Sequence, residues 1–409
     1  MIKDKNFIWN TIGTTLNSFL SLFLLIIITR INGIELLGMF SFIFTLTLML
    51  QSISNYGGRI YQISDLNDEF SFQEYLSSRI KTSIISIVIF FFLFIILRLD
   101  IKTIGIAMCL IVLRIIETFS DVFYASFQKN NHLDYVGISL TIKSLLIIIL
   151  FLILNILTKN LSIASFGIVI AAIMVFVFYD LLKVKKYEKM IIIFNNDIYK
   201  KSKYIFLFSF VTFLLLNVPR FIANYTLNST QIGYLGILMM IPTVMALVCQ
   251  FIIQPQLVNL TKAYYEKNIT NFNKILFKSN LLLLVFSFIC CILAITLGPL
   301  VLKILYGISF EEYRISFLIL ILAGALNGAT TILSNALTIF RETKNQFIAY
   351  IFVLIINITF CYVASSTYKL NGLFLGLMLS MLIQTIIFYV IYKNKTFKIL
   401  KQANFDIKN

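Results

Sequence analysis

Runs of apolar residues close to twenty long, separated by short polar breaks, recur along nearly the whole chain. A helix needs roughly 20 such residues to cross the hydrocarbon core of a bilayer. The pattern predicts an all-α polytopic membrane protein. Composition agrees: 59% of the residues are hydrophobic, only 13% are charged, and the mean hydropathy is +0.93. A soluble domain carries roughly 25% charged residues, so a chain this apolar has too little polar surface to cover itself and must face lipid.

The length rule predicts about twelve spans. In the first half they fall near Asn10–Thr29, Leu36–Asn55, Thr82–Leu97, Thr103–Phe127, Val136–Leu157 and Leu161–Leu182. In the second they fall near Ile205–Tyr225, Ile232–Pro255, Leu281–Leu305, Ile315–Ile339, Phe347–Ser366 and Gly372–Tyr392. The weakest breaks are the one around Asn155–Ser162 and the one between the last two spans. This divides the chain into an N-terminal six-helix lobe (1–182), a basic linker (183–204), a C-terminal six-helix lobe (205–392) and a basic tail (393–409). Asn32-Gly33-Ile34-Glu35 after the first span and Asn228-Ser229-Thr230-Gln231 after the seventh form a faint echo between the lobes. The polar start leads directly into an apolar run without a small-residue cleavage site, so it reads as a retained first helix.

A formal charge of +16 raises the question of nucleic acid, but the basic residues sit in the breaks between apolar runs, where they orient a membrane protein. One side collects Lys3, Lys5, Arg59, Arg79, Lys81, Lys129 and Lys143, the linker lysines, the loop from Lys262 to Lys278, Arg341, Lys344 and the tail from Lys393 to Lys408. The other holds only Arg30, Arg98, Lys102, Lys159, Lys303, Arg314 and Lys369. The positive-inside rule therefore predicts that both termini are cytoplasmic. Met190–Phe194 in the linker reads either as a segment lying along anionic headgroups or as a plain connection.

The chemistry-bearing motifs of soluble enzymes are missing. No Ser-His-Asp set, zinc spacing, P-loop or GxGxxG run occurs in the sequence. Cys109, Cys249, Cys290, Cys291 and Cys361 lie in apolar runs and read as small packing residues. Every outward loop is too short for a catalytic domain, so no enzyme activity and no cofactor are expected.

Charges at membrane depth are expensive and need a wet cavity or a partner. On the fourth span Arg114, Glu117, Asp121 and Gln128 recur at helical spacing and share one face. They read either as an ion-pair network that locks packing or as the wall of a hydrated path. The seventh span repeats the pattern with Asn217, Arg220 and Asn224, beside a bend expected at Pro219. Uncharged stripes, Asn10, Thr14, Asn17 and Ser21 on the first span and Gln250 and Gln254 on the eighth, read first as interhelical hydrogen-bond glue. Two buried arginines, Arg114 and Arg220, would suit a phosphate-bearing ligand, because the guanidinium fork matches phosphate oxygens.

With those residues in view, the chain resembles the Wzx-type polysaccharide flippases of the superfamily that also holds multidrug extruders and the lipid II flippase. Arg30 through Ser41 is similar to the family's R-x-x-G-x-E-x-x-G-x-F link, with Asn32 where Leu is commoner. Arg114 through Ser139 places Glu117, Asp121, Tyr124, Gln128 and Asp134 as in that group, and Asn217–Ile222 with Gln231–Tyr234 is similar to the start of the family's second half. Tyr306-Gly307 also fits. The resemblance implies a MATE-like fold in the bacterial inner membrane and an oligosaccharide repeat unit on undecaprenyl pyrophosphate, turned outward by alternating access. It implies membrane lipid and other polysaccharide-assembly proteins as partners. Arg30, Arg59, Arg114 and Arg220 become candidates for pyrophosphate or acidic-sugar contact, with Glu117 and Asp121 holding Arg114 or relaying protons. A cation-coupled multidrug extruder on the same fold and a membrane polysaccharide polymerase are the alternatives, and a coupling ion stays open.

Overall fold

The computed structural model describes residues 2–65, 69–97, 101–266 and 268–406, and among these the chain forms helices and no strands. Arg98, Lys267 and Lys408, counted above with the loop charges, lie outside the described residues. Ten described helices are long and apolar enough to cross a membrane. One of them, Thr343–Phe397, breaks at Lys369 (φ 49°, ψ −127°) and so makes two spans. The helix Ile101–Lys129 carries more charge but has 29 residues, or about 43 Å at 1.5 Å per residue. Taken together, these match the expected number of spans. The polytopic all-α reading is borne out.

The chain divides into two compact units, Met1–Phe213 and Leu214–Asn409. The boundary falls inside a continuous helix, Asp197–Thr226. The first unit is built from α1 (Ile2–Asn32), α2 (Ile34–Asn55), the short α3 (Gly58–Ser64), α4 (Phe72–Leu97), α5 (Ile101–Lys129), α6 (Leu133–Thr158) and α7 (Leu161–Val175). A π-helical turn, Phe176–Asp180, prolongs α7 before a last α-helical turn to Val184.

Local chemistry places the breaks. Lys159 adopts a left-handed conformation, and Asn160 then caps α7 by accepting the N–H groups of Ser162 (3.0 Å) and Ile163 (3.4 Å). This settles the split that was weakest in the sequence. Tyr56 and Gly57 at φ 43° and 74° separate α2 from α3. The faint echo between the lobes does not hold chemically. Asn228 and Gln231 form a reciprocal capping box, whereas Asn32 accepts from the amide of Asn155 (2.7 Å) and donates to the Lys159 carbonyl (3.3 Å).

Within the first unit α1 lies along α6 at its closest at Gly13 and Gly137. A Cβ at either glycine would collide with backbone of the other helix, so only glycine permits the approach. α2 packs against α4 and α5, and polar rungs tie the first pair: Thr82 donates to the Ser54 carbonyl (2.6 Å) and Ser86 to that of Leu50 (2.8 Å).

In the second unit Pro219 sits inside its helix. A proline cannot donate to the carbonyl four residues back, which here belongs to Leu215. The buried amide of Asn357 donates to that oxygen at 2.7 Å, so a distant helix restores the bond that Pro219 forfeits. Beyond the break at Lys369, Gly372 and Gly376 let the chain return against the backbone of Ala364 and Cys361.

Candidate functional site

Four helices of the first unit, together with the short α3, line an open cavity of about 440 Å³. α5 supplies Arg114, Glu117, Asp121 and Tyr124; α3 supplies Arg59; α6 supplies Lys143; α1 and α2 supply the uncharged polar lining. Three cations and two carboxylates thus meet in one space. The one-face spacing read on α5 explains how a single helix can deliver most of them.

Arg114 donates from Nη1 to Glu117 Oε2 at 2.6 Å, and its guanidinium lies 4.4 Å from the centre of the Phe44 ring. Its Nε and Nη2 are buried and make no hydrogen bond to a described residue. Glu117 is shared: Gln51 donates to Oε2 at 3.1 Å, and Lys143 Nζ lies 3.8 Å from Oε1. Arg59 donates from Nη2 to Gln128 Oε1 at 2.9 Å. Asp121 borders the cavity with no hydrogen bond or ion pair to a described residue. One carboxylate therefore serves two cations while a third cation is held by a neutral amide. Such an arrangement attracts an anion.

Behind this wall the π-helical turn brings Asp180 into the core, where Oδ2 accepts from Ser120 (2.9 Å) and from the Tyr124 hydroxyl (3.5 Å). Tyr124 also shares a hydrogen with Ser139 at 2.7 Å. The bond network holds the Tyr124 ring beside Arg59 and Lys143, whose charged groups lie 5.9 and 5.8 Å from its centre.

Several sequence expectations need correction. Lys143, counted with the cytoplasmic charges although it falls inside the expected fifth span, is 3% exposed in mid-helix and part of the site; Arg79 is 3% exposed within α4 and not a loop charge, its guanidinium packed over Gly58, because α4 begins at Phe72 and not near Thr82. Thr14, Asn17 and Ser21, read first as helix glue, border the cavity. Arg30 is exposed near the C-terminal end of α1, roughly 13 Å along the axis from Ser21, and does not line the cavity. Asn217, Arg220 and Asn224 belong to the second unit. There Arg220 donates to Asn217 at 2.6 Å, its Nε lacks a partner, and Asn224 is exposed. Lys143 and Asp180 were missed, although each is a lone charge in an otherwise uncharged apolar stretch, and that was the available signal. Three cysteines are buried, and Cys290 and Cys291 are partly exposed.

The model of a family described as "Polysaccharide biosynthesis protein" matches residues 4–254. A capsular polysaccharide biosynthesis protein, CapF of Staphylococcus aureus, is 26% identical over 403 residues, covering 95% of this chain and 99% of that protein. A solved structure of the lipid II flippase MurJ in an inward closed conformation superposes with a TM-score of 0.71 at 17% identity, covering 96% of this chain and 90% of that one. An inward-facing multidrug resistance MATE family transporter of the MOP superfamily gives 0.68 at 13% identity, covering 98% and 95%. The expected MATE-like fold is borne out.

Proposed function

The chain belongs to the polysaccharide biosynthesis protein family, and from that premise we propose that it is a flippase for lipid-linked oligosaccharides. It turns repeat units carried on a polyprenyl pyrophosphate from the cytoplasmic to the outer face of a bacterial inner membrane, by alternating access and with both termini cytoplasmic. The observation that carries this reading is the cavity at membrane depth in which Arg59, Arg114 and Lys143 outnumber Glu117 and Asp121. Arg114 borders the cavity, and its guanidinium offers the fork of donors that phosphate oxygens accept once its buried Nε and Nη2 turn toward the ligand. Glu117 orients Arg114 and Lys143, and Gln128 orients Arg59. Bound pyrophosphate would neutralise the excess charge, while the polyprenyl tail remains in lipid. Arg220 with Asn217 forms a separate cationic centre in the second unit, and Arg30 is a contact for headgroup or substrate at the end of α1.

Arg114→Ala and Lys143→Ala should abolish surface polysaccharide while the protein remains in the membrane at normal level, and Arg220→Ala should do the same. Normal polymer from all three would overturn the proposal. Asp121, a carboxylate at the cavity with no hydrogen bond or ion pair to a described residue, favours one other reading, a cation-coupled multidrug extruder. Drug resistance conferred by the chain, with no change in polysaccharide on deletion, would establish that alternative.

A further inference from the structure

In sequence the linker segment Met190–Phe194 reads either as a headgroup-level segment or as a plain connection, and its surroundings decide between the two. Residues 188–195 form neither helix nor strand, yet hydrogen bonds tie the segment to α4. Gln73 donates to the Lys189 carbonyl (3.1 Å), the Ile193 N–H to Ser77 Oγ (2.8 Å), Asn195 to Glu74 Oε1 (2.8 Å) and Lys81 Nζ to Asn196 Oδ1 (2.8 Å). Between these ties Met190, Ile191, Ile192, Ile193 and Phe194 each keep more than a third of their surface open. Leaving a large apolar side chain in water forgoes about 1.5–3 kcal/mol. A plain connection would not be strapped down with five of them facing outward.

The position of the strap says what covers it. Gln73, Ser77 and Lys81 follow one another on a single face of α4. That face continues as Ile84, Val88 and Ile95, which are 55%, 62% and 71% exposed on a helix long and apolar enough to cross a membrane. Such a stripe faces acyl chains. Lys81 comes three residues before Ile84, about 4.5 Å along the axis, and its ammonium lies 5.6 Å from the centre of the Phe194 ring. Phe194 therefore sits at the depth where acyl chains give way to headgroups, a depth that suits aromatic rings.

Charge completes the match. Lys185, Lys186, Lys189 and Lys203 flank the strap, are exposed and make no ion pair with a described residue. The acids nearby are engaged: Glu188 accepts from Ser126, Glu74 from Ser71 and Asn195, and Asp197 and Glu69 pair with Lys200 and Lys201. Tyr187, just before the strap, lies 5.3 Å from the ring of His132, and Asn6 donates to the Asn131 carbonyl (2.8 Å). The strap thus lies at the end of the unit where α1 begins, which the charge count assigns to the cytoplasm.

We propose that this segment is an interfacial strap seated in the cytoplasmic leaflet. Met190 to Phe194 enter the upper acyl chains, and Lys185, Lys186, Lys189 and Lys203 bind anionic phospholipid headgroups. The strap leads into the helix Asp197–Thr226, within which one unit gives way to the other, so lipid anchors the chain segment that joins them. This holds whatever the cavity carries.

The test uses the purified full chain in vesicles. Trp9 is the only tryptophan, so Trp9→Phe with Phe194→Trp places a single indole on the strap. Phospholipid brominated near the headgroup end of its acyl chain should quench the emission, and acrylamide in the water should quench it little. Brominated phosphatidylglycerol should act at an about two- to fivefold lower surface fraction than brominated phosphatidylcholine, the yield of roughly one lysine at an anionic surface. Adding Lys185→Gln, Lys186→Gln and Lys189→Gln together should bring that ratio to about one while bromolipid quenching persists. Adding Ile191→Ser with Ile192→Ser should trade bromolipid quenching for acrylamide quenching. These variants should unfold in detergent at the temperature of their parent, because the changed groups are exposed. Quenching of the parent by acrylamide and not by bromolipid would overturn the proposal and leave the strap as a surface for a protein partner. Equal quenching by the two brominated lipids would overturn the headgroup site.

Discussion

The two units bury polar groups in opposite ways. In the first, Arg79, Arg114, Asp134, Lys143 and Asp180 are all below a tenth exposed. In the second, the described polar residues below a tenth exposed are neutral, Asn217, Gln346, Asn357 and Gln384 among serines and threonines, and Arg220 is half-buried with its Nε enclosed. Most of these neutral groups form short hydrogen-bonded sets, with Gln384 Oε1 left without a partner among the described residues. Ser334 donates to Gln346 (2.7 Å), Thr330 and Thr385 share a hydrogen (3.0 Å), and Asn357 covers the carbonyl left by Pro219. Such bonds join helices at modest net gain. The charged set of the first unit is left incomplete: two buried donors of Arg114 have no described partner, and Asp121 borders the cavity in the field of Arg59, Arg79 and Lys143 without a hydrogen bond to any of them. A lock would close its bonds; an incomplete set at a cavity is poised for a ligand.

The sharpest way to break this comparison is Glu117→Ala. It strands Arg114 and Lys143 without their acid, and breaking a buried ion pair costs about 3–5 kcal/mol. Thermal unfolding in detergent should fall accordingly and polysaccharide should disappear. The triple variant Arg114→Met, Glu117→Leu and Lys143→Met, which leaves no stranded charge, should recover most of the stability and none of the polymer. Recovery of both would reduce the α5 charges to packing.

Asn357→Leu comes next. It leaves the Leu215 carbonyl buried and unpaired, at about 1–3 kcal/mol, and polymer export should persist. Adding Pro219→Ala supplies the missing backbone N–H and should restore the unfolding temperature, which no purely packing role for Asn357 would allow. Thr385→Val should cost about 1 kcal/mol, again with export intact. A strong export defect in that variant would mean that the neutral networks also carry function.

The smallest effect is expected at Asp65, outside the spanning segments. Burial raises its carboxyl, but the N–H groups of Glu69 and Phe70, the Tyr75 hydroxyl and Lys129 together outweigh this and hold it below its ordinary value. A lowered folded value means that the stabilisation is full above the ordinary carboxylate range and fades as pH falls through the lowered one. Asp65→Asn should flatten that acid-side loss in unfolding scans taken across pH.

Hydropathy and spacing alone made the helical spans, the shared face of Arg114, Glu117, Asp121 and Gln128, and the need for a wet or paired environment legible. These properties are local, since a residue's hydrophobicity and its angle on a helix follow from its own position and nearby neighbours. Partnership across helices is not local. Lys143 near Glu117, Asn357 on Leu215, and Asp180 turned inward by a π-helical turn depend on where separate helices meet. The approach of α1 to α6 at Gly13 and Gly137 was likewise invisible, because a glycine in an apolar run carries no mark of what lies against it. The sequence thus determined that this chain spans a membrane with charges held at depth. Only the tertiary structure decided that those charges and the polar face of α1 share one cavity, because a cavity is a relation between helices and belongs to no one of them.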